Sequence, residues 1–363
     1  MTDSDLESAA AAQEEGIWRQ ERISLKDLSR RLNLSPTTVS RALNGFPEVS
    51  AATRQRVSEA ARLYGYRPDR NARRLAQGRV GAMGLVFPAE ATALHDPLYI
   101  EFLAGLGEAA AEAQMEITLI PAQRADEIGA YRRAASERSV DGFVVSSPLL
   151  RDLRVKELAA QEIPFVLHGR TQGAGAHAWC DIDNRDAFAR AARLLTDLGH
   201  RRFALINGKA EAQFAVERRT GALGALEARG LRIAPPFVFH VNMTEEEGYR
   251  AGRLCFQRAP AERPTAFLVS SVFLALGLMR AAREAGLEAP RDFSVIAHDD
   301  RTPYLRGEFF DPPLTATSAS IRDAGRRAVE LLSARLEGAP IERLQEILPL
   351  DLVLRASTGP ARS

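Results

Sequence analysis

The earliest side chains with usable recognition chemistry lie in Pro36-Thr37-Thr38-Val39-Ser40-Arg41, followed closely by Asn44. A guanidinium such as Arg41 can offer two parallel N–H donors to guanine O6 and N7, worth about 1–3 kcal/mol of base discrimination. Thr37 can hydrogen-bond a base edge or touch a thymine methyl. Thr38, Ser40 and Asn44 suit phosphate oxygens, which fix a protein on a duplex without reading its sequence. Charge agrees with that chemistry. The formal net charge is only +1, yet residues 22–80 carry +9, residues 1–21 carry −5 and the remainder carries −3. A basic module beside a mildly acidic body is the footprint of a dedicated nucleic-acid-binding domain.

Three helices must position these groups. Ser24 is suited to cap the first, with Leu25, Leu28 and Leu32 as its apolar stripe. Asn33-Leu34 supplies a turn, and Ser35 caps a second helix opening on Pro36, where a missing N–H costs nothing. Val39 and Leu43 face inward on that helix, and Thr37, Thr38, Ser40 and Arg41 are free to face outward. Asn44-Gly45-Phe46-Pro47 stops it, Ser50 opens a third helix and Gly65 ends that one. The pattern is helix-turn-helix, with the second helix as the one laid in the major groove of double-stranded DNA. A three-helix domain that binds protein instead is disfavoured by the basic balance and the hydroxyl-rich helix.

The runs TTVSRALNG and GYRPDRNARRLAQGR resemble the lactose-repressor/galactose-repressor (LacI/GalR) family of bacterial transcription regulators. The resemblance extends from Ile23 to about Ser357 through MGLVFP, DPLYIEF, VDGFVVSSP, IPFVLHGR, DIDNRDA, LGHRRFALING, RRTGALGAL, PTAFLVSSVFLALG, APRDFSVIAHDD and PPLTATSAS, in the family's order. It implies that the short charged segment Asp69–Gln77 folds only when two subunits sit on operator DNA. Leu75 matches the apolar residue that wedges into the minor groove and kinks the duplex. Arg70, Arg73, Arg74 and Arg79 would then contact phosphates.

Beyond Val80 short apolar runs alternate with amphipathic stretches, which predicts doubly wound α/β structure. Strands are expected at Ala82–Phe87, Ile117–Ile120, Gly142–Val145, Phe165–Leu167, Phe203–Ile206, Ala266–Val269 and Phe293–Ala297. Helices are expected at Glu101–Glu112, Ala187–Leu198, Gly221–Ala228 and Leu274–Ala285. The family resemblance adds two such lobes, as in periplasmic sugar-binding proteins, with a ligand cleft between them. It places three interlobe crossings near 168–182, 299–304 and 318–322. The expected fold is thus an all-α helix-turn-helix headpiece plus an α/β periplasmic-binding-protein-like body with two doubly wound parallel-sheet lobes.

Ligands of open α/β sheets bind at the carboxyl ends of strands. Ser146 and Ser147 follow the third strand, His168 and Arg170 the fourth, and Phe273 the strand ending in Ser270-Ser271. By resemblance, the segment with Asp96 and Tyr99 faces the cleft, Arg218 contacts effectors, Met243 stands where an aromatic often stacks, and Asp299 is the effector-binding carboxylate. Such a set suits a sugar: carboxylates accept from paired hydroxyls, arginine donates, and Tyr99 or Phe273 covers an apolar ring face. A purine asks for more aromatic stacking. The chain departs from the family at Gly169, where many members carry an acid, and at Ser271-Val272-Phe273, where many carry Asn-Asp or Ser-Asp. No known ligand transfers across those changes.

Enzyme chemistry finds little support. His298, Asp299 and Asp300 are adjacent on a strand end and point in different directions, so they do not converge on one metal ion. Gly105-Leu106-Gly107 lies inside a helical stretch and lacks the third glycine of a dinucleotide fingerprint. No triad, Walker loop or paired general acid and base stands out, and no cofactor is expected. Cys180 and Cys255 read as two solitary buried thiols. The acidic N-terminus is no signal peptide, and no apolar run is long enough for a bilayer, which implies a cytoplasmic protein.

The division expected is a disordered extension at 1–21, the helix-turn-helix domain at 22–66, a hinge at 67–80, the two-lobed effector and dimerisation domain at 81–357, and a tail at 358–363. A homodimer is expected, since no heptad-repeat tail follows LPLDLVLRAST. The expected function is a regulator, usually a repressor in this family, that binds a palindromic operator and answers to a small molecule, a sugar or glycoside. The alternatives are response to a non-sugar metabolite, an architectural DNA-binding protein that senses nothing, and a free sugar-binding protein, the last disfavoured by the intact headpiece.

Overall fold

The computed structural model describes residues 23–43, 46–66, 79–89 and 96–362. They divide into two compact units between Arg79 and Val80. The hinge residues Arg70, Arg73, Arg74 and Leu75, together with Asn44, the 1–21 extension and most of the 67–80 segment, lie outside the described residues.

Among its described residues the first unit has three helices: α1 (Leu25–Leu32), α2 (Pro36–Leu43) and α3 (Ala51–Leu63). Ser24 caps α1 as its sequence predicts. Its Oγ accepts from Asp27 N at 3.2 Å and Asp27 Oδ2 accepts from Ser24 N at 3.2 Å, a reciprocal capping box that satisfies two otherwise orphaned donors. Asn33 takes the left-handed turn at φ 52°. Ser35 and Ser50 cap the next two helices through Thr38 N at 3.0 Å and Thr53 N at 3.2 Å. Leu28, Val39 and Val57 are fully buried and define the core. On α2 the fully inward position after Val39 goes to Ala42, whereas Leu43 packs at the periphery of the core.

The second unit contains two six-stranded sheets. One lobe has the order β2–β1–β3–β4–β5–β11, all parallel: β1 (Ala82–Pro88), β2 (Glu116–Ala122), β3 (Gly142–Val145), β4 (Phe165–His168), β5 (Ala178–Ile182) and β11 (Gln345–Leu348). Its helices are α4 (Pro97–Glu112), α5 (Glu127–Ser136), α6 (Leu153–Ala160) and α11 (Ile321–Leu336). The other lobe has the order β7–β6–β8–β9–β10–β12, with only β12 antiparallel: β6 (Phe203–Asn207), β7 (Val238–His240), β8 (Ala266–Val269), β9 (Ser294–Asp299), β10 (Thr315–Ser318) and β12 (Asp351–Val353). Helices α7 (Asn184–Asp197), α8 (Gln213–Glu227), α9 (Glu245–Phe256) and α10 (Val272–Glu284) cover it.

All seven expected strands are present. Their central members are buried on both faces, which explains why they read as continuous apolar runs rather than alternating ones. The strands that escaped sequence reading are short and polar or edge-placed, such as Ala178–Ile182 and Thr315–Ser318. Missing them misplaced one crossing. The chain passes between lobes after β5, between β10 and α11, and between Leu348 and Asp351; residues 299–304 do not cross, because β9 and β10 are neighbours in one sheet. The 358–362 stretch is no loose tail either: His200 and Ser294 hydrogen-bond the Gly359 carbonyl, and Ala361 N donates to Leu198 O at 2.8 Å.

Gly105 has a packing role. A Cβ there would stand 1.9 Å from the Arg322 carbonyl oxygen, so α4 and α11 meet backbone to backbone at this point.

Candidate functional site

Between the lobes lies a cleft of about 180 Å³, far more than the ~10–15 Å³ that holds one water. Its first wall comes from strand ends and the start of α4. Asp96 caps that helix, accepting from Leu98 N at 2.9 Å, and Tyr99 and Phe102 follow in its first turns. Burial pushes the Asp96 carboxyl upward, and the nearby Asp300 charge adds to that. The Tyr99 hydroxyl is buried with no partner among the described residues, and burial raises its pKa to about 12. His168 ends β4 and stacks on Phe102, with centroids 4.7 Å apart and planes at 22°. Burial drives His168 down to about 4 against the pull of Asp300, so the ring is neutral at pH 7. Ser147 lines the cleft at φ 51°, a left-handed backbone that costs a non-glycine residue about 1 kcal/mol or more.

The opposite wall is organised around Arg218 of α8. Its Nε donates to Asn184 Oδ1 and its Nη1 to the Ser270 carbonyl, both at 2.7 Å. The guanidinium lies 5.2 Å from the Phe188 ring centroid and 5.0 Å from that of Phe214, so aromatic faces supply part of its solvation. Burial lowers its pKa to about 10, opposed by Asp300 and Asp181, and it stays cationic at neutral pH. Burial pushes Asp300 upward, but His298, Arg218 and His168 together outweigh that and hold it below its ordinary value. His298 Nε2 stands 3.4 Å from Asp300 Oδ1 and its Nδ1 3.0 Å from Thr317 Oγ1. Burial and Arg218 lower the His298 pKa. A neutral ring beside an acceptor-only carboxylate must carry its proton on Nε2, leaving Nδ1 to accept from Thr317.

The structure brings six of the nine expected effector residues together: Asp96, Tyr99, Ser147, His168, Arg218 and Met243 all line the cleft. Three do not. Asp299 points into its own lobe, where its carboxylate accepts from Gly307 N at 2.8 Å and Arg301 N at 2.9 Å. The neighbouring Asp300 faces the cleft instead, since successive residues of an extended chain project to opposite sides. Arg170 turns from the cleft to pair with Asp181 at 2.9 Å and lie over Trp179. Phe273 packs against the core of the β6–β10 sheet. Gly169 has its own reason: φ is +111°, and a Cβ would meet Pro148 Cγ at 2.6 Å, so an acid cannot occupy that backbone without a shift.

Residues missed from sequence are Phe102, Asp181, Asn184, Gln213, Phe214 and His298, all of which line the cleft. Only a correct placement of β5 would have revealed Asp181 and Asn184. Gln213 and Phe214 sit on the first turn of α8, eight residues ahead of where that helix was expected to begin.

In the helical unit, Pro36, Thr37 and Arg41 are exposed on α2, with Thr38 and Ser40 partly so. Thr37 and Arg41 are four residues apart and share one face. The Thr38 hydroxyl is already within 2.8 Å of Ser35 Oγ, which fits a positioning role better than base reading. Among the described residues no group of histidine, cysteine or carboxylate side chains could hold a metal ion, and no helix is long and apolar enough to cross a membrane. Cys180 and Cys255 are both buried and unpaired with each other, and burial raises each thiol to about 12.

A helix-turn-helix unit followed by two parallel-sheet lobes around a cleft is the architecture of a DNA-binding regulator with a periplasmic-binding-protein-like body. Residues 24–69 match the bacterial regulatory proteins of the lacI family, and residues 192–358 match the periplasmic binding protein-like domain. The chain is 46% identical over 340 residues to the HTH-type transcriptional regulator AglR of Rhizobium meliloti (strain 1021), spanning 93% of this chain and 95% of that one. It is 31% identical over 328 residues to the regulator RafR of Escherichia coli, spanning 89% and 95%. Among solved structures, the regulator CelR in complex with cellobiose is 29% identical with a TM-score of 0.68, covering 93% of this chain and all of that one. The lac repressor dimer bound to operator shares the fold, with a TM-score of 0.75 at 24% identity over 93% of this chain and 100% of that one. The protein belongs to the LacI family: it is a DNA-binding transcription regulator of a non-enzymatic class.

Proposed function

We propose that this protein is a cytoplasmic repressor that binds an imperfect palindromic operator as a homodimer and is controlled by a neutral sugar or glycoside in the interlobe cleft. The observation that carries the effector reading is the composition of the two walls. Asp96 and Asp300 stand ready to accept from hydroxyls, Arg218 to donate, and Tyr99 and Phe214 supply apolar ring surface. Ligand engagement from both walls favours one lobe orientation, and that preference is the differential affinity a ligand needs to shift a conformational equilibrium. The relative solved with cellobiose supports the same chemical class.

A second reading is a nucleoside, favoured by the Tyr99 and Phe214 rings that line the cleft. Operator binding by the full-length protein, measured against mono- and disaccharides and nucleosides, separates the two. A shift with one sugar supports the reading and its direction distinguishes inducer from corepressor; a shift only with nucleosides, or with nothing, ends it. Light scattering showing a tetramer would refute the dimer. On the DNA side, Arg41→Ala is expected to relax preference at one operator position by about 1–3 kcal/mol. Equal weakening on every sequence would make Arg41 a phosphate contact.

A further inference from the structure

We propose that Asn184 is a positioning residue whose amide ties the Arg218 guanidinium to the first interlobe crossover, so that occupation of the cleft reaches the lobe orientation through it. The inference deepens the effector-controlled reading above and rests on it.

The polar groups at this crossover form one continuous chain. Arg170 Nε donates to Asp181 Oδ2 at 2.9 Å, and Asn184 Nδ2 donates to Asp181 Oδ1 at 3.1 Å. Arg218 Nε donates to Asn184 Oδ1 at 2.7 Å, and Arg218 Nη1 continues to the Ser270 carbonyl at 2.7 Å. Arg170 and Asp181 belong to the sheet of β4 and β5; Arg218 and Ser270 belong to the lobe of α8 and β8. Asn184 stands where the main chain passes from one to the other and is 2% exposed.

Chemistry fixes the orientation of its amide. Arginine only donates and an ionised carboxylate only accepts, so the residue between them must accept on one side and donate on the other. An amide of this length does both. Aspartate at 184 would set two buried carboxylates side by side, serine would lose one contact, and leucine would strip both partners. Asp181, Asn184 and Arg218 also line the cleft, and only two of the five N–H donors on Arg218 are committed to Asn184 and Ser270. A ligand that recruits the remaining donors pulls on a group whose other end is bonded across the crossover. Buried networks of this kind have discrete arrangements rather than gradual ones, which suits a two-state response.

The test measures operator affinity of the full-length protein with and without glucose, galactose, maltose, cellobiose and adenosine as probes. Asn184→Asp is expected to change the ratio of the two affinities by about 5- to 30-fold, the upper part of the range for substitutions that alter coupling between sites. The exchange Asp181→Asn with Asn184→Asp rebuilds the chain with the 181–184 bond reversed, losing the bond from Ile182 N and the long one to Ile182 O, and is expected to return the ratio to within about threefold of the original. A single variant that keeps the original ratio overturns the proposal, and so does an exchange variant that melts normally and does not recover. If Asn184→Asp does not fold, Asn184→Ser carries the test with the same expected loss. If no probe moves the unsubstituted protein, the sugar and nucleoside readings fail on their own. The positioning role is then read from probe-free operator affinity, which Asn184→Ser should shift about fivefold or more and the exchange should restore; unchanged affinity in both overturns it.

Discussion

The two walls of the cleft solve the problem of buried polarity in opposite ways. On the Arg218 wall the key polar groups are engaged in bonds of 2.6–3.4 Å: Arg218 with Asn184 and Ser270, Ser270 with Asn207, and His298 with Asp300 and Thr317. On the Tyr99 wall the polar groups have fewer bonds to the described residues, although Asp96 itself is exposed. Tyr99 has an orphaned hydroxyl, His168 is held neutral by burial, and Asp96 is pushed toward protonation. A satisfied wall is preorganised and stable without ligand. An unsatisfied wall carries a desolvation cost that a ligand hydroxyl can relieve, so it is the place where binding gains most.

That contrast predicts unequal effects of substitution. Arg218→Ala leaves the buried Asp300 without its arginine neighbour, strips the partners of Asn184 Oδ1 and the Ser270 carbonyl, and opens a gap between Phe188 and Phe214, so the largest loss is expected there, about 3 kcal/mol in denaturant unfolding. A loss under about 1 kcal/mol would mean that the wall is not a network. Asp300→Asn should weaken the effector response by tenfold or more, about 1.4 kcal/mol, whereas Asp299→Asn should mainly lower the melting temperature by loosening the 301–307 loop. Titration against effector with both variants checks this, and a reversal of the two would return the ligand contact to Asp299.

On the other wall, His168 makes stability depend on pH. Its folded pKa, about 4, lies below its ordinary 6.5, so the unfolded chain takes up the proton first. The contribution is complete above about pH 6.5 and is lost as pH falls toward 4; we expect about 2 kcal/mol, since the ring keeps some contact with water. His168→Leu should flatten that part of the profile, and an unchanged slope would sink the assignment. The smallest effect belongs to Tyr99→Phe. Removing an orphaned hydroxyl should leave stability within about 1 kcal/mol of the original, or raise it, while weakening effector binding. Loss of stability together with unchanged effector binding would show that the hydroxyl has a partner in the folded chain and no role toward ligand.

Much of the architecture was legible because it is written in local patterns. Ser24, Ser35 and Ser50 announce three helix starts, and the apolar runs at Gly142–Val145, Phe203–Ile206 and Ala266–Val269 announce buried parallel strands. The same patterns went quiet where a strand is short or polar. Ala178–Ile182 holds a tryptophan, a cysteine and an aspartate in five residues, and with it went Asp181 and Asn184, while the third crossing was lost with the short strands Thr315–Ser318, Gln345–Leu348 and Asp351–Val353.

The sequence by itself determined the class of the molecule: a basic helix-turn-helix unit with Thr37 and Arg41 outward, and a body of alternating strands and helices. Those features depend on periodicity, capping and charge, which act over a few residues. Only the tertiary structure decided which of two adjacent aspartates faces the cleft, that Arg170 turns back to Asp181, that Gly169 answers to Pro148, and that Asn184 joins Arg218 to the crossover. Each of those outcomes depends on side-chain direction at a strand end or on contact between segments tens of residues apart, and neither is encoded in spacing along the chain.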